Sequence, residues 1–271
     1  MRLSLRRISS LARIVVLDGL RRHALIGLVL LALACETGGL FFFGFIPRDI
    51  GRASSDFILT IGWLAGFIFL FFHAVHVTAW DEEKRVLHTL LARPLSRAEY
   101  VLGTFSGLGI LLFLLNMLLG GIGWLILHFI QRMVGPNFFA YFSHGYYVLS
   151  LVGILAIQFM ILAVIILFSG LVRGSFTVLL LALSFYFISS GLPVVRESLA
   201  TQGAANFLPH LLQGLSAVFP NFGRLDFKPW VVQVASTPEW FHVALNFLFS
   251  VLYCGIILGL ACAVYHRRDL K

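Results

Sequence analysis

Residues Tyr146–Leu171 read YYVLSLVGILAIQFMILAVIILFSGL, a run without a single charged side chain. A helix needs ~20 mostly apolar residues to cross the ~30 Å hydrocarbon core of a bilayer. A helix that long and apolar on every face has no side to turn to water, so it belongs in lipid. Five more segments meet the same test: Ala24–Phe45, Asp56–Ala79, Tyr100–Phe129, Phe176–Val194 and Phe241–Tyr265. In chain order the third span is long enough to tilt or project from the bilayer, and the fifth is the shortest. The expected fold is all-α: a polytopic membrane protein with six transmembrane helices in a single domain, residues 1–271.

Composition points the same way. The 271 residues are 59% hydrophobic and 12% charged, against ~25% charged in soluble domains, and mean hydropathy is +0.95. The net charge of +8 does not indicate nucleic acid, because Lys and Arg cluster at the ends of apolar spans. There they set topology and face anionic headgroups. With the N-terminus in the cytoplasm, most of the 20 basic residues fall inside, leaving Arg48, Arg52, Arg132, Arg196, Arg224 and Lys228 outside. Both termini are therefore expected to be cytoplasmic. The basic start MRLSLRR precedes an apolar run without a small-x-small cleavage site, so the first span reads as retained. Cys35, Cys254 and Cys262 form no CxxC pair and read as small buried hydrophobes within spans, not as disulfides or zinc ligands.

Residues 2–22 place Leu3, Leu5, Ile8, Leu11, Ala12, Val15, Val16 and Leu20 largely apart from Arg6, Arg7, Arg13, Asp18 and Arg21. This suits an amphipathic helix in the cytoplasmic interface; the plainer reading is a basic flank. On the outer side, Phe138, Phe139, Tyr141 and Phe142 suit a headgroup boundary. Within the outer loop 195–240, Phe207, Leu208, Leu211, Leu212, Leu215, Val218 and Phe219 share a helical face too short to span. An interfacial or re-entrant helix is expected there.

Between the second and third spans lies Asp81–Gly103, DEEKRVLHTLLARPLSRAEYVLG, the longest water-suited stretch of the chain. Asp81 can cap a helix over 82–92, with Glu82 and Glu83 in its first turn. Val86, Leu87, Leu90 and Leu91 form an apolar stripe, and Pro94 ends the helix. Ser96-Arg97-Ala98-Glu99 then matches a capping box for the third span. The stripe either docks a soluble partner or packs on the membrane and this chain's own helices.

Glu82, Arg85, Leu87, Leu90, Leu91, Ala92, Pro94, Ser96, Arg97, Glu99, Tyr100, Val101, Leu102 and Gly103 together resemble a motif of ABC-2-type transporter membrane subunits. The ending Arg267-Arg268-Asp269-Leu270 is also similar to that family's, and the resemblance covers the whole chain. One departure is Thr104, where the family commonly has Lys. The resemblance implies an exporter permease in a bacterial inner (plasma) membrane, paired with a second copy or a paralogous permease. Two copies of an ABC ATPase subunit would bind beneath, holding ATP and Mg. The 82–92 segment would be the coupling helix, carried by Glu82, Glu83, Arg85, Leu87, Leu90, Leu91, Pro94 and Arg97. Arg173, in the inner turn Leu171–Ser175, would make a second contact. The resemblance extends to permeases of copper-enzyme maturation systems, so an ATPase-linked scaffold for a periplasmic protein is the alternative.

This chain offers no P-loop, which needs Lys after Gly to hold phosphates: Lys84, Lys228 and Lys271 do not follow glycine. ATP hydrolysis is expected from a partner, and no cofactor or nucleic acid is expected on this chain. No HExxH, G-x-S-x-G or paired intramembrane carboxylates suggest a hydrolase. No inverted repeat suggests an ion-driven transporter.

Ionisable groups inside spans default to functional candidates. Glu36 either lines a transport path or is protonated and hydrogen-bonded to a neighbour. Asn116 and Gln158, mid-span, either line the same path or join helices. His73 and His76 share a face, but no third ligand matches, so hydrogen bonding is favoured over a metal. Gly62–Gly66, Gly103–Gly107 and Gly255–Gly259 are GxxxG patterns that permit close helix packing or dimerisation.

Overall fold

A computed structural model describes residues 4–21, 23–43, 49–80, 96–139, 141–202, 214–215, 218–232 and 239–267. The expected 82–92 helix and Pro94 lie outside the described residues, as do Phe207, Leu208, Leu211 and Leu212 of the outer loop. The described elements are helical. They are α1 (Leu5–Arg21), α2 (His23–Phe43), α3 (Ile50–Ile68), α4 (Arg97–Val134), α5 (His144–Leu171), α6 (Ser175–Gln202) and α7 (Trp240–Arg267). Among the described residues the only strand-like pairing is an isolated bridge, Phe142 to Val232.

Five helices are long and apolar enough to cross a membrane: α3 continued to Ala79, α4, α5, α6 as far as Ser198, and α7. A shorter apolar stretch, Leu25–Gly39, lies within α2. This is the architecture of a multi-pass membrane protein. Several helices overrun the expected spans, because hydropathy marks the lipid-compatible part and caps mark the ends. The helix holding the second span starts at Ile50 rather than Asp56. The one holding the fifth continues through Pro193 to Gln202 rather than stopping at Val194. Beyond Ile68, α3 widens into two π-helical stretches, Phe69–Ala74 and His76–Trp80. Phe69, Leu70 and Phe71 are consecutive and all buried, while Phe72 is exposed, so this end of the helix is enclosed on most sides and open on one.

Helix α5 forms the centre, with every residue from Met160 to Ile166 buried. Of the spanning stretches, 61% of α3 and of α5 is buried, against 22% of α6 and 17% of α7, so the last two helices are peripheral. Their bare apolar faces suit lipid, which needs no polar contact. Rings from three parts of the chain meet beside α3. Phe67 lies 4.3 Å from Phe71 and 4.9 Å from Tyr186, and Tyr186 stacks on Phe222 at 5.9 Å.

The chain has two distinct ends. At one, α1 and α4 begin and α5 and α7 finish. At the other, residues 218–232 fold back into the bundle through two 3-10 turns, Phe222–Leu225 and Lys228–Trp230. Phe222, Leu225, Phe227 and Val231 are buried there. The Leu225 carbonyl and the Phe227 ring lie against Gly153, more than two turns into α5, so this part of the loop packs back into the bundle. Of the expected helical face, Leu215 and Val218 are helical and Phe219 is not. The aromatic loop before α5 divides: Phe139 is buried against α3 and α4, while Phe138 and Tyr141 stay exposed.

Candidate functional site

The first turn of α4 is where the chain returns from the 81–95 segment, and three helices meet on it. Ser96 has an extended backbone and accepts a hydrogen bond from the Glu99 amide at 3.2 Å. The Glu99 carboxylate reaches back to the Ser96 amide at 2.8 Å, completing the capping box. Its second oxygen accepts from the Ser4 amide at 2.9 Å, so one carboxylate caps both α4 and α1. Arg7 stands 3.8 Å from the same carboxylate. Glu99 is only 1% exposed. Hydrogen bonds to an ionised group are worth roughly 1.5–3 kcal/mol each, which lets the buried anion persist.

Two residues earlier, the Arg97 guanidinium donates to the Tyr265 and His266 carbonyls, each at 2.9 Å. These are among the last carbonyls of the described part of α7, at the end where a helix presents its carbonyls outward. A cation there also complements the helix dipole. Tyr265 extends the joint: its hydroxyl hydrogen-bonds the Ser169 hydroxyl of α5 at 2.9 Å. Its ring lies on Gly170 and 6.0 Å from Tyr100. Ser96–Glu99 is therefore joined to α1 through Glu99, to α7 through Arg97 and on to α5 through Tyr265. Arg173 is exposed in the turn from α5 to α6 at this same end, beside Gly174 at φ 102°.

Helix α1 follows α4 away from this joint. A side chain on Gly103 would strike Leu11, one on Gly107 would strike Val15, and one on Gly19 would strike Leu111. The three contacts advance by four residues on each helix. The Gly103–Gly107 pattern is thus the seat of α1 in this chain. Gly255 and Gly259 face open space, and Gly66 makes room for the Gln158 amide. The amphipathic helix of the sequence is present, with Leu11, Ala12 and Gly19 buried, and its route runs along α4.

Deeper in the bundle, Asn116 donates to Gln158 at 2.7 Å and to the Leu112 carbonyl at 2.8 Å, joining α4 to α5. Glu36 is fully buried on α2, and neither of its carboxylate oxygens has a hydrogen-bond partner among the described residues. The Tyr147 hydroxyl is engaged instead with the Gly120 carbonyl at 2.8 Å. His73 sits 5.1 Å from the Phe69 ring on the first π-helical stretch, and His76 opens the second. No group of three His, Cys, Asp or Glu side chains is placed to hold a metal among the described residues. Cys35 is exposed, and Cys254 and Cys262 are partly buried.

The capping box is legible in the sequence. The second use of Glu99, on Ser4, and of Arg97, on α7, is not, because each joins residues far apart in the chain. Protein-family models and curated proteins were both searched, and neither search found a match for this chain.

Proposed function

We propose that this chain is the membrane-spanning permease subunit of an ABC-2-type exporter. It has six spans, both termini in the cytoplasm, and a separate ATPase docked on residues 82–92. The observation that carries the reading is the joint at Ser96–Glu99. A force-transmitting segment must re-enter the membrane domain at a stiff point connected to more than one helix. Here the re-entry point holds α1, α4 and α7 through buried or charge-assisted hydrogen bonds. The plan of an amphipathic first helix, long apolar helices and a loop packed back into the bundle fits the same reading. Arg6, Arg7, Arg97 and Arg173 gather at the joint end, as expected of a cytoplasmic face. ATP and Mg would sit on the ATPase, with this chain paired to a second permease.

Within the bundle, Glu36 is the residue we assign to the cargo path. Its carboxyl group is buried with no hydrogen-bond partner among the described residues, whereas Asn116 and Gln158 bond to each other and serve helix packing. The test is purification of the tagged chain from its native membranes in mild detergent. A P-loop ATPase should accompany it, and ATP hydrolysis should be measurable. Leu87→Asp with Leu91→Asp should release the ATPase. If none accompanies the wild type, the proposal fails; a stable periplasmic partner in its place would favour the maturation-scaffold reading.

A further inference from the structure

At the end of the bundle away from the joint, a cleft of about 440 Å³ opens between α5, α6, α7 and the 218–232 loop. Its size falls in the ~300–1,000 Å³ range of small-ligand sites. Its depth is apolar: Met160, itself buried, Leu192 and Phe249 line it. Its rim is charged, with Arg196 and Glu197 on α6 facing Arg224 on the loop. The loop wall is held in place, because Asn246 of α7 donates to the Arg224 carbonyl at 3.1 Å. Two cations from separate elements thus share one mouth with a single acid.

The wall on α6 carries a second polar feature. Pro193, which lines the cleft, has no amide hydrogen, so the Ser189 carbonyl one turn earlier loses its helical donor. Ser189 is 1% exposed, and its hydroxyl has no hydrogen-bond partner among the described residues. Residues four apart share a helix face, so Ser189 lies one turn along α6 from the cleft wall at Pro193.

We propose that this cleft binds an anionic amphiphile of the surrounding bilayer, its phosphate headgroup between Arg196 and Arg224 and its hydrocarbon on Leu192, Met160 and Phe249. An apolar floor alone would accept any hydrocarbon. The opposed arginines add selection, since guanidinium matches phosphate geometry and charge. Glu197 offsets one of the two cations, which sets the preference at one net negative charge. The site is independent of the ATPase reading and stands at the other end of the molecule, so either proposal can fail alone.

The test uses the full chain, delipidated in detergent, and native mass spectrometry with three probes. These are lysophosphatidylglycerol, lysophosphatidylcholine of the same chain length, and inorganic phosphate. Lysophosphatidylglycerol should bind about tenfold or more tighter than lysophosphatidylcholine, the scale of one charged hydrogen bond. Arg196→Gln and Arg224→Gln, singly and together, should erase that preference, and Leu192→Trp should weaken both lipids by filling the cleft. Equal binding of the two lipids, a preference that survives both Arg variants, or phosphate alone binding as tightly would overturn the proposal. A photoactivatable lysophosphatidylglycerol gives a readout on the unaltered protein. It should label residues 192–197 or 219–225, and labelling confined to other segments would refute the site.

Discussion

Replacing Glu99 with Ala removes both acceptors of the double cap. The amides of Ser4 and Ser96, bonded at 2.9 and 2.8 Å, lose their partner together. At roughly 1.5–3 kcal/mol for each bond to an ionised group, the loss is about 3 kcal/mol or more. A shift of ~2 °C per kcal/mol for a chain of this size puts the fall in Tm near 6 °C at least. The local effect is more telling. Opening of the α1 start should become ~10- to 150-fold more frequent, the equivalent of one such bond. Hydrogen exchange followed by mass spectrometry on the peptide covering Ser4–Leu11 would read this directly. Ser96→Ala is the control. It removes the hydroxyl that bonds the Glu99 amide and touches its carboxylate but keeps the carboxylate's bond to the Ser4 amide, so it should cost ~1 kcal/mol at the start of α4 and leave exchange in α1 nearly unchanged. Glu99→Gln keeps one acceptor oxygen and should fall between the two. Wild-type exchange over Ser4–Leu11 in folded Glu99→Ala protein would refute the claim that this carboxylate anchors α1.

Arg97→Gln should fray the end of α7, raising exchange over residues 262–267 several-fold and lowering Tm by ~2 °C for a loss of about 1 kcal/mol. Gly107→Leu should cost ~1–3 kcal/mol by overpacking and unseat α1, because even its Cβ would lie 2.7 Å from that of Val15. Gly255→Ala and Gly259→Ala, which face open space, should be neutral or slightly stabilising in the same thermal assay. Asn116→Leu removes the 2.7 Å bond to Gln158 and should cost ~0.6–2 kcal/mol, the range of intramembrane hydrogen bonds, measured as unfolding midpoint in detergent.

What could be read from the sequence was whatever has a local cause. Tyr146–Leu171 announces itself because lipid demands a long apolar run. Ser96 and Glu99 announce a helix start because a capping box spans three residues. The alternation of Arg and Leu over residues 5–21 marks an amphipathic helix. Its partner was hidden, because a glycine pair such as Gly103 and Gly107 says that something comes close without saying what. Pairs such as Arg97 with His266, Ser4 with Glu99 and Tyr265 with Ser169 depend on which helices neighbour one another. No periodicity carries that. The loop from Asn221 to Val232 reads as a polar connector with scattered aromatics. Only the bundle reveals that Phe222, Leu225 and Phe227 fill a gap beside Gly153. Asn116 and Gln158, for which both gluing helices and lining a path were open, are placed in each other's contact.

The joint at Arg97–Glu99 has a topological consequence. Glu99 grips Ser4 and Arg97 grips His266, so the start of α1 and the end of α7 are held by side chains two positions apart on one turn. Each residue of extended chain covers ~3.3 Å, so a linker of about ten residues would close the gap with room to spare. The polypeptide is in effect a loop fastened at one clasp, the situation in which circular permutation is tolerated. A permutant joined there and reopened at the far end would carry its new termini at the opposite end of the bundle, with the clasp made covalent.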